Sequence, residues 1–449
     1  MECAAVSSVA EEGSITECYS IDAFGHLLST SADVAERILK CLTYTELSEC
    51  ANVCALWCST ADRLKKQRRG FVHCYKAVER MKQMRAWCHI SDGAWFFTVS
   101  EDVQSFLKDL KSTWCEPAFG IFFATRHICE NPGLYFPEPK RFKKRKSAKV
   151  STARIEYGSL CTSCVVDVLP TSCLMLHASV DGIVGTHFTP EGWAVPKEQE
   201  RKQGLSGILF PGKMSGVSFH PFYMPDDETL LWPPFDSVCD SGCGPHPGST
   251  ERTKNIDDID DLKCVLFFTA GEAQQLNFET RALNAALEKY NGHIALGGAV
   301  VREVDAPLLC SAGSPYCVGL CVAGSGVRAA SMVLGESVRG PEAVETELRR
   351  LKDGSGYAAW KGKTIGFMFA CVGRGISFHR KRNLEAKTFA KVFPNVPLMG
   401  LFGNGELGLD CLPAFSQAKE SIKQVSPPTA SSCMYGYTTV IVLLSFDPK

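Results

Sequence analysis

From residue 27 onward the apolar positions first recur at helical spacing. Val34, Ile38, Leu39 and Leu42 share one face, and Ser31, followed by Asp33 and Glu36, supplies a helix-start signal. Thr43 and Glu46 then form a T-x-x-E capping box. They open a second helical stretch whose apolar face is Leu47, Cys50, Val53, Cys54 and Trp57, and the unit as a whole runs to about Arg69. The next region is mixed: Ala94 to Val99 and Phe119 to Ala124 read as strands and Val103 to Leu110 as a helix. From about Asp260 the two periods alternate. Leu262 to Thr269, His293 to Val300, Thr364 to Cys371, Val396 to Phe402 and Thr438 to Phe446 predict strands; Glu279 to Tyr290, Pro341 to Leu351 and Leu384 to Phe393 predict helices. Tyr316 to Ala323 and Val327 to Leu334 flank Gly324-Ser325-Gly326 and predict a hairpin. The pattern therefore gives a small all-α unit followed by α/β or α+β structure with mixed sheets.

The 449 residues allow about two to four domains, and 45% hydrophobic with 22% charged residues is the composition of an ordinary globular protein. A formal net charge of -1 removes any whole-molecule electrostatic argument for nucleic acid or anionic lipid. The 22 Cys are too sparse for a small disulfide scaffold. Met1 to Ser14 lacks Lys and Arg and contains Glu11 and Glu12, so no secretory signal is expected there. The apolar stretch around Tyr437 to Phe446 is far shorter than the roughly 20 residues of a membrane span. These features predict a soluble intracellular protein with reduced thiols.

Several short motifs carry candidate chemistry. Lys140, Arg141, Lys143, Lys144, Arg145 and Lys146 form a basic run that suits either a solvated loop or a nuclear import signal; without interleaved aromatics it predicts no nucleic-acid site. Cys161-x-x-Cys164 and Cys239-x-x-x-Cys243-x-x-His246 have zinc-ligand spacing within each group, but the groups lie far apart and the second sits in a Gly/Pro-rich stretch, so reduced loop thiols are expected there and no metal or cofactor. Gly356 to Thr364 has five residues between its glycines and precedes a strand, so it fails as a P-loop. Gly403 to Gly408 satisfies G-x-G-x-x-G, but Pro413 stands where a dinucleotide fold needs its helix.

The order Leu28, Ile38-Leu39, Leu42, Leu47, Val53-Cys54 and Trp57 resembles an F-box, with Ser29 where that family usually has proline. The resemblance implies an adaptor-facing set of Leu28, Ile38, Leu42, Leu47, Val53 and Trp57, with Trp57 as the hot spot; the alternative is that these residues form an internal three-helix core. Thr364 to Gly375, Phe389, Phe393-Pro394 and Pro397 to Gly408 resemble the C-terminal FIST domain. The implied organisation is a flexible tail over 1–26, an F-box over 27–70, an N-terminal FIST-like domain over 71–249 with a basic loop at 139–149, a linker over 250–262 and a C-terminal FIST domain over 263–449.

By that resemblance the chain is a noncatalytic substrate receptor in the cytoplasm and nucleus. Its partners would be a Skp adaptor, a cullin and a RING subunit, with nuclear transcription or chromatin regulators as targets for ubiquitination and proteasomal degradation, and no membrane partner. A ligand- or redox-sensing FIST module without a degradative role is the alternative. The Gly-rich turns after Phe369 and Phe402 would gather Cys371, Arg374, Asn404 and Glu406 at one rim as candidates for binding substrate or ligand. There Cys371 is either a thiolate favoured by Arg374 or a buried strand residue.

Overall fold

A computed structural model describes residues 21–68, 70–77, 83–90, 93–113, 115–125, 165–224 apart from isolated positions, 256–271, 281–306, 315–416 and 427–447. The basic run at 140–146 and the Cys161, Cys164, Cys239 and Cys243 groupings lie outside these residues. The chain divides into two compact units after Arg68.

The first unit is all helical: α1 Ile21–Thr30, α2 Ala32–Leu39, α3 Tyr44–Cys50 and α4 Ala55–Gln67. Helix α1 begins inside the stretch expected to be a flexible tail. The capping box forms as read: Thr43 Oγ1 accepts from the Glu46 N–H at 3.3 Å, and the Glu46 carboxylate accepts from the Thr43 N–H at 2.7 Å. The helical stretch expected from Thr43 through Trp57 is instead broken at 51–54, where Val53 lies in a turn. The core is small: Leu39, Leu47, Ala61 and Leu64, with Leu42, Cys50, Ala51 and Trp57 packed against it. Two polar ties close it. The Trp57 indole N–H donates to the Leu28 carbonyl at 2.7 Å, and the Arg68 guanidinium donates to the carbonyls of Leu39, Lys40 and Leu42.

The second unit contains β1 Val72–Ala77, β2 Gln83–Ile90, β3 Gly93–Ser100, α5 Glu101–Lys111, β4 Pro117–Thr125, β5 Leu174–Val180, β6 Gly182–Phe188, β7 Ala194–Glu200, β8 Gly204–Pro211 and β9 Ser218–Met224. It continues through β10 Leu262–Ala270, α6 Arg281–Lys289, β11 Ala295–Val301, β12 Glu303–Asp305, β13 Cys317–Ala323, β14 Val327–Leu334, α7 Gly340–Ser355 and β15 Lys363–Cys371. The last elements are α8 Ile376–His379, α9 Leu384–Val392, β16 Leu398–Gly403, β17 Glu406–Leu409, α10 Pro413–Ser416, β18 Met434–Tyr435 and β19 Thr439–Phe446.

The strands form sheets of order β1-β8-β4-β5-β12, β18-β17-β11-β10-β13-β9 and β14-β19-β15-β16-β6-β7, plus the β2-β3 pair. These are mixed sheets, as expected. Parallel pairing occurs at β4–β5, β10–β11 and β15–β16, the last two joined through helices as parallel neighbours require. The expected boundary at 250–262 is not a boundary between sheets. Strand β9 pairs with β13, β6 with β16, and β12 with β5, so segments from either side of it share every large sheet. Nor do β13 and β14 form the expected hairpin: β13 lies between β10 and β9, whereas β14 pairs with β19 in another sheet.

One core holds the sheets together. Phe123 meets Phe268 and Phe268 meets Phe369 at ring separations of 5.2 and 5.5 Å, linking one strand from each large sheet through edge-on aromatic contacts. Helix α6 covers the second sheet with Leu283 and Leu287, and α7 and α9 cover the third with Val344, Leu348, Leu351 and Phe389. Glycine lets the β15–β16 backbones approach, since a Cβ on Gly400 would lie 1.8 Å from the Met368 carbonyl oxygen. No helix among the described residues is long and apolar enough to cross a membrane.

Candidate functional site

The helical unit leaves several aliphatic side chains open to solvent. Val53 is 64% exposed, Leu27 47% and Ile38 38%, an unusual group of open aliphatic side chains for so small a unit. The structure divides the six adaptor-facing candidates. Ile38 and Val53 are open, while Leu28, Leu42 and Trp57 are half-buried. Leu47 is fully buried and is a core residue, so its expected place at an interface is corrected. Trp57 has its indole N–H occupied by Leu28 and its ring against the internal core; it supports the unit from within as much as it faces outward. Leu27 was missed because its neighbour Leu28 fits the motif.

In the second unit, the rim candidates sit where β15 and β16 end. Cys371 pairs with Gly403 across the two parallel strands, and Glu406 follows at the start of β17. Cys371 and Glu406 come together, both buried. Burial pushes the Cys371 thiol up and the nearby Glu406 carboxyl pushes it further, so the arrangement opposes the thiolate that Arg374 was expected to favour. Burial also raises Glu406 well above the usual carboxylate range, despite hydrogen bonds donated to Oε2 by the Thr438 N–H and Oγ1. Asn404 is exposed, with its N–H donated to the Val300 carbonyl at 2.8 Å.

Arg374 is not presented to a ligand. It is completely buried, and its guanidinium donates to Glu385 Oε1 at 3.0 Å from Nε and 2.6 Å from Nη2. Its remaining donors go to the carbonyls of Leu334, Gly335, Val338 and Tyr437. Glu385 in turn receives Thr439 Oγ1 on Oε2 at 2.7 Å and lies 3.0 Å from His379 Nε2. These partners hold Glu385 below the usual carboxylate range against the opposing effect of its burial. The result is a rigid polar knot under α8 and α9, with every donor of Arg374 committed.

Sequence reasoning missed the acidic residues of β7. Glu198 and Glu200 are two apart on one strand and therefore point to the same side, a spacing visible in Pro196-Lys-Glu-Gln-Glu. Glu198 Oε1 accepts from the Ala386 N–H at 2.7 Å, while burial, aided by the Glu385 charge, pushes its carboxyl up to about 8. Glu200 accepts from the Ile376 N–H at 2.7 Å and lines a cavity of about 160 Å³ together with Asp181, Arg201, Arg302, Val372 and Phe402. Arg302 is held there by Asp181 at 3.1 Å. Among the described residues no group of three or more His, Cys, Asp or Glu side chains is placed to hold a metal ion.

No protein-family model matches the chain. Against known proteins, it is 27% identical over 429 residues to F-box only protein 22 of Homo sapiens, covering 93% of each chain, and equally so to F-box only protein 22 of Pongo abelii. The chain is similar to F-box only protein 22. At 429 residues the likeness extends over sequence from both units.

Proposed function

We propose that this protein is a substrate-recognition subunit of an SCF ubiquitin ligase. The observation that carries the reading is the match to F-box only protein 22 over 93% of both chains. The exposed Leu27, Ile38 and Val53 side chains on the helical unit support it, because an aliphatic surface of this kind is what a partner must cover. In this reading the helical unit takes the Skp adaptor, which brings the cullin and RING subunits. The FIST-like mixed-sheet unit takes protein targets for ubiquitination and proteasomal degradation. The subunit is noncatalytic: ubiquitin transfer belongs to the bound ligase. Targets among nuclear transcription or chromatin regulators, and residence in cytoplasm and nucleus, go with the basic run at Lys140 to Lys146 acting as an import signal.

The test is affinity capture of the full chain beside Ile38→Glu/Val53→Glu, which places charge on the open surface without touching the core. Wild type should recover adaptor and cullin, and the variant neither. Recovery of neither by wild type would end the ligase reading; equal recovery by both would move the adaptor surface elsewhere.

A small-ligand reading has one observation in its favour, the charged cavity at Glu200, Arg201 and Arg302. Equilibrium dialysis against a pool of metabolites separates the two, since a ligand sensor retains a small molecule whether or not the adaptor is present.

A further inference from the structure

We propose that Arg201, Lys202, Arg380, Lys381 and Arg382 form one basic docking surface for an acidic polypeptide segment of a partner protein. In sequence the two groups are far apart, and the fold laces them together. Arg201 and Lys202 follow directly on β7; Arg380, Lys381 and Arg382 make the link between α8 and α9. Glu200, the last residue of β7, accepts from the Ile376 N–H at 2.7 Å. Further up the strand the Glu198 N–H donates to Asn383 Oδ1 at 2.9 Å, and Glu198 Oε1 accepts from the Ala386 N–H at 2.7 Å. The α8–α9 link is therefore pinned to β7 at both its ends, with its three cations between the pins.

All five side chains are exposed, and none makes an ion pair among the described residues. Most neighbouring carboxylates are engaged elsewhere: Asp181 with Arg302, Glu385 with Arg374 and His379, and Glu336 with Arg339. Glu200, bonded to the Ile376 N–H, lies close enough to feel both Arg201 and Arg382, which places the two turns side by side around one carboxylate. Five open cations around that one carboxylate, in a chain of formal net charge -1, leave a local positive excess. The backbone holds the two turns open, since Arg201, Arg380 and Asn383 are left-handed at φ 50, 57 and 55°, a conformation non-glycine residues adopt at a cost. A nucleic acid is the poorer fit. The aromatic ring beside the surface, Phe378, is stacked by Arg339 and Arg374 at 4.4 and 4.5 Å and is not free to receive a base. An acidic polypeptide needs only the charges and the spread of the two turns.

The inference rests on the substrate-receptor reading only in making that partner a ligase target; binding itself requires no adaptor. The test uses the full chain and a fluorescent dodecapeptide of alternating glutamate and serine, followed by anisotropy at about 0.05 M and about 0.3 M salt. Wild type should bind at the lower salt and weaken at the higher. The variant Arg201→Asn/Lys202→Gln/Arg380→Asn/Lys381→Gln/Arg382→Gln, with asparagine at the two left-handed sites, should bind roughly tenfold or more weakly. Lys108→Gln/Lys111→Gln on α5 should bind like wild type. Lys381→Glu alone provides a second measurement should the multiple variant fold poorly, and it too should weaken binding. Absence of binding by wild type, undiminished binding by the patch variants, equal loss in the α5 variant, or tighter competing binding of a single-stranded oligonucleotide of matched charge would each overturn the proposal. Failure of the ligase reading looks different: wild type then captures no adaptor while peptide binding persists.

Discussion

Arg374 can be tested as the keystone of the C-terminal rim by Arg374→Met, which keeps much of the side-chain volume and removes every donor. The substitution deletes two hydrogen bonds to the Glu385 carboxylate and leaves the carbonyls of Leu334, Gly335, Val338 and Tyr437 without this partner. Glu385 is itself buried, so the larger cost is a carboxylate left without its strongest counter-charge. Breaking a buried pair in this way costs about 3–5 kcal/mol, and the contacts that remain from His379 and Thr439 argue for the middle of that range, about 4 kcal/mol. Urea unfolding of the full chain, followed by far-UV circular dichroism, measures it. The companion Arg374→Met/Glu385→Gln removes the stranded charge as well and should recover about 1–2 kcal/mol of the loss. A single-variant cost below about 1 kcal/mol, or a double variant no better than the single, would refute the reasoning.

Three further outcomes follow from the same geometry. The Glu198 carboxyl is raised from 4.5 to about 8, so its contribution is greatest when protonated and is lost as pH climbs through that interval; Glu198→Gln should flatten the fall in melting temperature between pH 4.5 and about 8. Gly400→Ala forces a methyl group against the Met368 carbonyl and should destabilise by about 2 kcal/mol or more in the same urea assay, whereas Gly335→Ala meets open space and should change little. Trp57→Phe retains most of the ring but deletes the bond to the Leu28 carbonyl, and should cost the helical unit about 1 kcal/mol and speed amide exchange in α1.

Local signals and distant partners account for what was legible in the sequence. The Thr43–Glu46 box was readable because both halves lie within one turn, and Leu262, Thr364 and Thr438 open runs too apolar and β-branched to be surface structure. The break before α4 was hidden because Val53 keeps the helical period while sitting in the turn. The false hairpin at Gly324 arose because two apolar strands around a Gly turn look alike whether they pair or diverge into different sheets. At the rim, the gathering of Cys371 with Glu406 was visible from strand ends. The character of the site was not, because it depends on Glu385 and on carbonyl groups that have no sequence signature. The roles of Glu198 and Glu200 depend on α8 and α9 lying across them, which their spacing on β7 does not reveal.

The sharing of sheets across the chain bears on how the protein is made. Thr186 on β6 exchanges hydrogen bonds with the backbone of Leu398, 212 residues later, and β19 stands between β14 and β15 as the last strand of its sheet to be synthesised. At about 10 residues per second, β6 waits roughly 20 s for its neighbour to leave the ribosome. The helical unit has no such delay, since the ties of Trp57 to Leu28 and of Arg68 to Leu39, Lys40 and Leu42 lie within 21–68. A nascent chain would thus carry a finished N-terminal module ahead of open sheet edges. Any truncation before Thr439 would leave β14 and β15 without their shared neighbour, while the N-terminal module remained whole.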